Sequence, residues 1–368
     1  MKAIAVIPGK KDSIHMRDVP DPDMGPDRVL VKVLRVGLCG TDKEINEGQY
    51  GKPPEGDEYL ILGHENFGQV VEVGKNVYGF TPGEFVVSTV RRPCHECWNC
   101  AHGENDMCTS GKYQERGIMR RHGFMAEYYS EIPEYLTKLP PSIESFGVLL
   151  EPMTVVEKGI DHSFLLQQRL QWKPKTAVIL GAGPVGLLAA AVTRMRGMRT
   201  VVVGREPATD YRAEIAKSME AEYVCVANTP LTDLPKMIGT IDLAIEATGV
   251  SEIVFNSMQI LAPNGVLCLL SVTGGAKTSP QPTDVINQSL VLRNNVVVGS
   301  VNANPRHFKM GVEDFVAFEK KYPGVLQKLI TNRLPWANFK TWFTERGSGV
   351  KNTLEIAAAE TALAQKAS

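Results

Sequence analysis

An excess of charge of one sign and long apolar runs are both lacking in this chain, and each absence removes a class of function. Lys and Arg number 40 against 41 Asp and Glu, leaving a net charge of −1. Nothing in that balance draws the protein to nucleic acid or to an anionic membrane surface. Short basic pairs such as Arg91-Arg92 and Arg120-Arg121 read as solvated faces. No apolar run approaches the ~20 residues a bilayer span needs, so no membrane partner is expected. The opening Met1-Lys2-Ala3-Ile4-Ala5-Val6 reads as a strand rather than a secretory signal. Internal repeats and low-complexity linkers are missing too, which argues against solenoids and tethered arrays. Seven cysteines, an odd number, fit a reducing cytoplasm better than a disulfide framework. Two of them, Cys225 and Cys268, lie in apolar strand-like runs and read as buried packing residues.

Four of the seven cysteines do cluster. Cys94, Cys97, Cys100 and Cys108 form C-x2-C-x2-C-x7-C, a spacing that lets thiolates close a tetrahedral shell around one Zn²⁺. Four protein ligands leave no open coordination position, so this zinc is expected to be structural.

Two textures divide the remainder. Up to about residue 150 the chain is rich in β-branched runs broken by Gly and Pro, with candidate strands at 29–36, 68–73 and 85–90, as in a mainly β, barrel-like domain. From about 173, apolar strands at 176–180, 200–203, 223–226, 243–246, 266–270 and 296–300 recur with helical segments between several of them. That rhythm predicts a doubly wound parallel α/β sheet of the Rossmann type. After Asn302 a helix is expected near Pro305, with Phe308, Val312, Phe315 and Phe318 on one face. The expected division is a catalytic domain over 1–155 carrying the cysteine lobe 94–108, a nucleotide-binding domain over 156–303, and a segment 304–368 returning to the catalytic domain. No role is assigned to 357–368.

Gly181-Ala182-Gly183-Pro184-Val185-Gly186 is a G-x-G-x-x-G between the strand 176–180 and an apolar helix. Gly181 permits the tight turn, Gly183 lets the backbone approach a pyrophosphate, and Gly186 allows close helix–strand packing. The helix N-terminus, entered through Pro184 and Val185, supplies N–H donors for the phosphates. The next strand ends in Gly204-Arg205-Glu206. An NAD-selective site usually carries an acid at that strand end, whereas here Arg205 stands ready for a 2′-phosphate and the acid follows one residue late. NADP is therefore the preferred cofactor and NAD the alternative. Upstream, Cys39-Gly40-Thr41-Asp42 and Gly63-His64-Glu65 offer a thiolate and an imidazole, both good ligands for a catalytic zinc that keeps one position open.

Taken together, these motifs resemble the medium-chain zinc alcohol dehydrogenase superfamily. The resemblance runs through Gly37-Leu38-Cys39-Gly40-Thr41-Asp42, Gly63-His64-Glu65, Gly68-Gln69-Val70-Val71-Glu72-Val73-Gly74, the Phe80-to-Val86 segment, the cysteine lobe and the glycine turn. Within that superfamily the chain is most similar to the archaeal-type glucose 1-dehydrogenases. Gly123-Phe124-Met125, Glu151-Pro152, Glu157-Lys158, Gly204-Arg205-Glu206-Pro207 and Gly299-Ser300-Val301-Asn302 carry this closer likeness. It implies a GroES-like catalytic domain beside the Rossmann domain, and a catalytic zinc surrounded by Cys39, His64, Glu65 and Glu151, directly or through water. It implies that Thr41, Glu115, Glu151 and Asn302 meet the sugar, and that Thr248, Gly249 and Asn302 join the glycine turn and Gly204-Arg205 around the cofactor. The expected reaction is oxidation of D-glucose at C1 to gluconolactone, with Thr41, His64 and Glu65 as proton-relay candidates. Where some relatives carry a carboxylate four residues after Glu151, this chain has Val155, which bears on how strictly glucose is selected. The resemblance also implies a homo-oligomer, a tetramer or a dimer. Three other readings compete: a polyol or other secondary-alcohol dehydrogenase using the same zinc, a noncatalytic NADP-binding sensor, and a zinc-stabilised interaction protein, against which the intact glycine turn argues.

Overall fold

The computed structural model describes residues 1–227, 229–276, 278–344 and 349–360; the remainder of the tail left without a role, 361–368, lies outside the described residues. The chain forms two compact units. One comprises Met1–Glu151, Asn302–Val312 and the chain from Ile330 onward; the other comprises Pro152–Val301 and Glu313–Leu329. The division falls at Glu151, where the sequence pattern suggested 155. It also cuts the expected returning segment 304–368 in two, inside the helix Pro305–Lys321. Both halves of that helix carry buried aromatics, Phe308 in one and Phe315 and Phe318 in the other. Hydrophobic periodicity alone therefore could not reveal the cut.

The first unit is built on a seven-stranded sheet whose central member is the strand Val29–Leu38. Its sequence VLVKVLRVGL buries Val29, Val31, Val33 and Val36, while Leu30, Lys32 and Arg35 are half-buried. This is the period-two pattern of a strand with one face in the core. A register shift between Val33 and Arg35 resets the alternation, so Leu34 and Val36 are both buried. Antiparallel neighbours lie on each side: Glu65–Val73, with Gly37 opposite Glu65, and Lys351–Glu355, with Asn352 opposite Leu38. Three chain segments remote in sequence thus end within one residue step of each other at the same end of the sheet.

The second unit is a six-stranded parallel sheet in the order Glu222–Cys225, Arg199–Gly204, Thr176–Leu180, Leu243–Glu246, Val266–Leu269, Val296–Gly299. Thr176–Leu180 and Leu243–Glu246 are completely or almost completely buried, as a sheet covered on both faces requires. Strand order reverses between those two, giving the switch point at whose carboxyl edge such sheets bind ligands. Cys268 is buried in its strand, as expected, but Cys225 is half-exposed, with its thiol donating to the Arg205 carbonyl at 3.4 Å. The expectation of a packed core thiol fails there because Glu222–Cys225 is the edge strand of the sheet. Among the described residues, no helix is long and apolar enough to cross a membrane.

Candidate active site

The register of the first sheet assembles the site. Cys39 follows the Val29–Leu38 strand and caps the helix Gly40–Asn46, where its N–H donates to Asp42 Oδ2 at 3.0 Å. Gly63, at φ 87°, makes the turn that delivers His64 and Glu65 to the start of the opposing strand. Ligand atoms of Cys39, His64 and Glu65 all lie within 4.8 Å of one another. Zinc bonds of roughly 2.0–2.3 Å put tetrahedral ligands about 3.3–3.8 Å apart, so small side-chain shifts would close this trio on one ion. His64 Nδ1 is buried and lacks a hydrogen-bond partner, with Asp42 Oδ1 at 3.6 Å. Burial opposes the imidazolium, yet Asp42 and Cys39 outweigh it and hold the His64 pKa well above its ordinary value. Anionic surroundings of this kind suit a bound cation, and the residues fit a zinc.

Glu151 is not a member of the trio. It lies in the first turn of Leu150–Leu166, nearly buried. Burial pushes its carboxyl up to about 7, with Glu65 and Asp42 adding to the shift while His64 and Lys351 oppose it. Thr41 is half-buried beside these groups, in hydrogen-bond contact with the Tyr50 phenol, whose pKa burial raises to about 12.

Two further residues belong to this cluster and were not singled out from sequence. Asp42 is fully buried and accepts the Gly63 N–H as well as that of Cys39, tying the two ligand-bearing turns together. Lys351, also buried, donates to the Leu38 carbonyl at 3.0 Å and to the Glu65 carboxylate. Desolvation would lower its pKa, but Glu65, Cys39 and Glu151 raise it above the usual value. The only signal for Asp42 is its membership of the cysteine motif. For Lys351 there is none, because it lies nearly three hundred residues from Glu65 and only strand register joins them.

Glu115 and Asn302 meet directly: Asn302 Nδ2 donates to Glu115 Oε1 at 2.7 Å. The buried Arg91 guanidinium donates to that same oxygen from Nε and Nη2 at 3.0 and 2.8 Å. Its Nη1 reaches the Asp106 carbonyl at 2.9 Å, so Arg91 is a structural clamp rather than the solvated face its sequence suggested. Asn302 itself adopts a left-handed φ of 61°.

At the cysteine lobe all four sulfurs lie within 4.8 Å of one another. Cys97 and Cys108 are separated by 3.9 Å, near the ~3.8 Å edge of a ZnS4 tetrahedron and far from a disulfide. Amide groups of Cys100 and Thr109 directed at Cys97 lower its pKa to about 5. This donor set also fits zinc.

In the second unit, Gly181 has φ 109°, and Gly186 approaches so closely that a Cβ on it would lie 1.9 Å from the Gly181 carbonyl oxygen. No atom would lie within 4 Å of a Cβ on Gly183, leaving the space a pyrophosphate requires. Pro184, Val185 and Gly186 form the helix entrance, while Gly181, Gly183, Gly204, Arg205 and Thr248 line a cavity of about 740 Å³. Gly249 adjoins this wall and donates to Ser271 Oγ at 2.8 Å. A buried carboxylate, Glu246, organises the loop by accepting the Thr248 N–H at 2.6 Å and bonds from the Thr248 and Ser271 hydroxyls. Nothing in the sequence marked it as more than the end of a strand.

Comparison with known proteins follows the same lines. Residues 25–141 match the alcohol dehydrogenase GroES-like domain, and residues 144–356 match the glucose dehydrogenase C-terminus. The glucose 1-dehydrogenase of Methanocella arvoryzae is 42% identical over 97% of this chain and 100% of its own length. That of Thermoproteus tenax is 40% identical over 97% of this chain and 99% of its own. The solved structure of Haloferax mediterranei glucose dehydrogenase in complex with NADP, Zn and gluconolactone superposes with a TM-score of 0.88 at 34% identity, covering 97% of this chain and 100% of that one. Agreement of this extent, over both units and on the family's own C-terminal model, means that the chain belongs to the glucose dehydrogenase family of the medium-chain zinc-dependent alcohol dehydrogenases.

Proposed function

We infer that this protein oxidises D-glucose at C1 to glucono-1,5-lactone, passing the hydride to NADP in preference to NAD. The observation that carries this is the trio of half-buried Cys39 with buried His64 and Glu65, in a chain matching over 97% of its length an enzyme solved with NADP, Zn and gluconolactone. Zinc held by the trio supplies Lewis-acid polarisation of the C1 hydroxyl, and the nicotinamide of NADP supplies the hydride acceptor. The chain's own residues do the positioning. Asp42 fixes the Cys39 and Gly63 turns, and Lys351 restrains the Glu65 carboxylate. Glu115, clamped by Arg91 and Asn302, presents its carboxylate to a sugar hydroxyl, a contact that rejects analogues lacking the hydroxyl. Thr41 receives the hydroxyl proton and, through Tyr50, delivers it towards solvent. Glu151, with its raised pKa, contacts the sugar or a water beside the metal. Loss of a hydride and a proton from glucose yields lactone, reduced NADP and H⁺.

The protein works as a homo-oligomer in the cytoplasm. The edge strand Val296–Gly299 is only half-buried, and Val285, Val291 and Leu292 on the preceding helix are more than half exposed. A second copy paired along that edge would cover them. Reduced-nicotinamide absorbance tests the function, using glucose, other aldoses, polyols and simple alcohols with NADP and NAD, before and after chelation and zinc restoration. Zinc-dependent turnover highest on glucose supports the reading. A polyol optimum discards the glucose assignment, and nucleotide binding without any turnover revives the sensor.

A further inference from the structure

The cavity at the switch point is lined by two arginines, Arg205 and Arg212. Arg205 is exposed at the end of the Arg199–Gly204 strand. Arg212, half-buried, lies in the first turn of the helix Tyr211–Ser218 and faces the same cavity. Asp210 caps that helix: its Oδ1 accepts the Arg212 N–H at 2.9 Å and stands 3.3 Å from Arg212 Nη1. One carboxylate oxygen therefore grips this residue at its backbone and at its guanidinium. The arginine is held in place before any ligand arrives, which reduces the ordering a ligand would otherwise impose.

Glu206 lines the cavity directly after Arg205. Tyr223 donates to the Glu206 carbonyl at 3.0 Å, which fixes the backbone at this point of the wall. Arg212 brings a second guanidinium to the cavity wall, held in place by its contact with Asp210. The other carboxylate on the wall, Glu252, is on the helix Ser251–Ser257, beyond Thr248. Arg212 lines the cavity while Asp210, which holds it, is not among the lining residues. Guanidinium forks match phosphate geometry and are always charged, which suits two of them to one phosphate.

We propose that Arg212 is a second ligand for the 2′-phosphate and, with Arg205, determines the preference for NADP. This rests on the NADP reading given above. The test is calorimetric titration of the zinc-loaded protein with 2′,5′-ADP and with 5′-AMP, two ligands that differ only in the 2′-phosphate. Wild type, Arg205→Ala, Arg212→Ala and Arg212→Lys are compared, with thermal melts to confirm folding. Wild type should bind 2′,5′-ADP at least about tenfold more tightly than 5′-AMP. Arg212→Ala should lose about five- to tenfold of that preference, the scale of a partly screened charge-assisted hydrogen bond. Its 5′-AMP affinity should change by less than about twofold, and Arg212→Lys should recover part of the loss. If Arg212→Ala keeps the full preference, or loses both ligands equally, Arg212 does not read the 2′-phosphate. A wild type that fails to distinguish the two ligands refutes the NADP reading itself, a result separate from either of those.

Discussion

Gly37 faces Glu65 across the central strand pair, and that position allows a sharp test of the metal site. A Cβ on Gly37 would lie 2.0 Å from Glu65 Oε2 and 3.0 Å from Glu65 Cβ. Non-bonded contact needs about 3.5 Å, so Gly37→Ala must displace the carboxylate by about 1.5 Å. In an open setting a glutamate end would simply swing away. Here Glu65 is buried and restrained by the Lys351 ammonium, which is itself bonded to the Leu38 carbonyl. Overpacking of this kind costs about 1–3 kcal/mol. A displacement near 1 Å in a catalytic constellation costs on the order of a hundredfold in rate. Gly37→Ala should therefore fold, with a modest loss of stability, keep the zinc of the cysteine lobe, and lose at least about a hundredfold in kcat/KM on glucose. Zinc at the Cys39 site should bind more weakly. Gly25→Ala is the control, because its Cβ would make only an ordinary 3.5 Å contact with Arg28. Steady-state kinetics, zinc stoichiometry and melting curves together decide the matter. Full activity with both zincs tightly bound would refute the claim that Glu65 must occupy the space above Gly37.

Other perturbations address the rest of the molecule. Burial alone would raise the Glu131 carboxyl, but Arg116, Arg92 and Arg121 overcome it and hold the carboxyl far below the usual range. A depressed acid stabilises the fold above its unfolded pKa of about 4.5 and loses that stabilisation as pH falls. Denaturant midpoints should drop steeply below about pH 4.5, and Glu131→Gln should flatten that slope while losing roughly 3–5 kcal/mol at neutral pH; an unchanged slope would show that Glu131 is not the coupled group. Glu157 behaves in the opposite sense. Burial, then Asp314, pushes it up to about 9, so its stabilising proton is present at low pH and is lost as pH rises from about 4.5 towards 9. Wild-type melting temperature should fall over the alkaline part of that range and that of Glu157→Gln should fall less; parallel curves would overturn this assignment. Cys97→Ser should release one zinc per chain and lower the melting temperature, and an unaltered melt would argue against a structural role for the lobe.

Much of the architecture was legible because local patterns and global contacts agree. The strands 176–180 and 243–246 emerge with the bounds their apolar runs suggested, and the glycine turn opens its helix where the spacing required. The residues of both candidate zinc clusters come in short motifs, and the structure brings the ligand atoms of each within 4.8 Å of one another. What escaped was set by non-local register and by buried charge. Lys351 carries no motif, and Arg91 sits in a basic pair that looks solvated until Glu115 and the Asp106 carbonyl are brought to it. Glu246 reads as the polar end of a strand, yet it organises the loop beside the cofactor cavity. Cys225 was misjudged because an apolar run does not reveal whether its strand lies at the centre or the edge of a sheet. The division within the helix Pro305–Lys321 was equally hidden, since a continuous apolar stripe does not say which turns belong to which compact unit.

The strand Val29–Leu38 has a bearing on how the protein is made. It pairs on one side with Glu65–Val73. On the other it pairs with Tyr128–Glu131 at Val29–Lys32 and with Lys351–Glu355 at Arg35–Leu38, the last synthesised nearly three hundred residues after Glu65. Cys39, His64 and Glu65 can therefore come together while Lys351 is still untranslated. During that interval the Glu65 carboxylate has no internal cation, and the half-formed sheet carries an unpaired edge. Closing a loop of some three hundred residues is slow and entropically demanding, so the nascent trio has time to take up its metal before the lysine arrives to restrain it. The order of translation would then let the site be loaded first and locked afterwards.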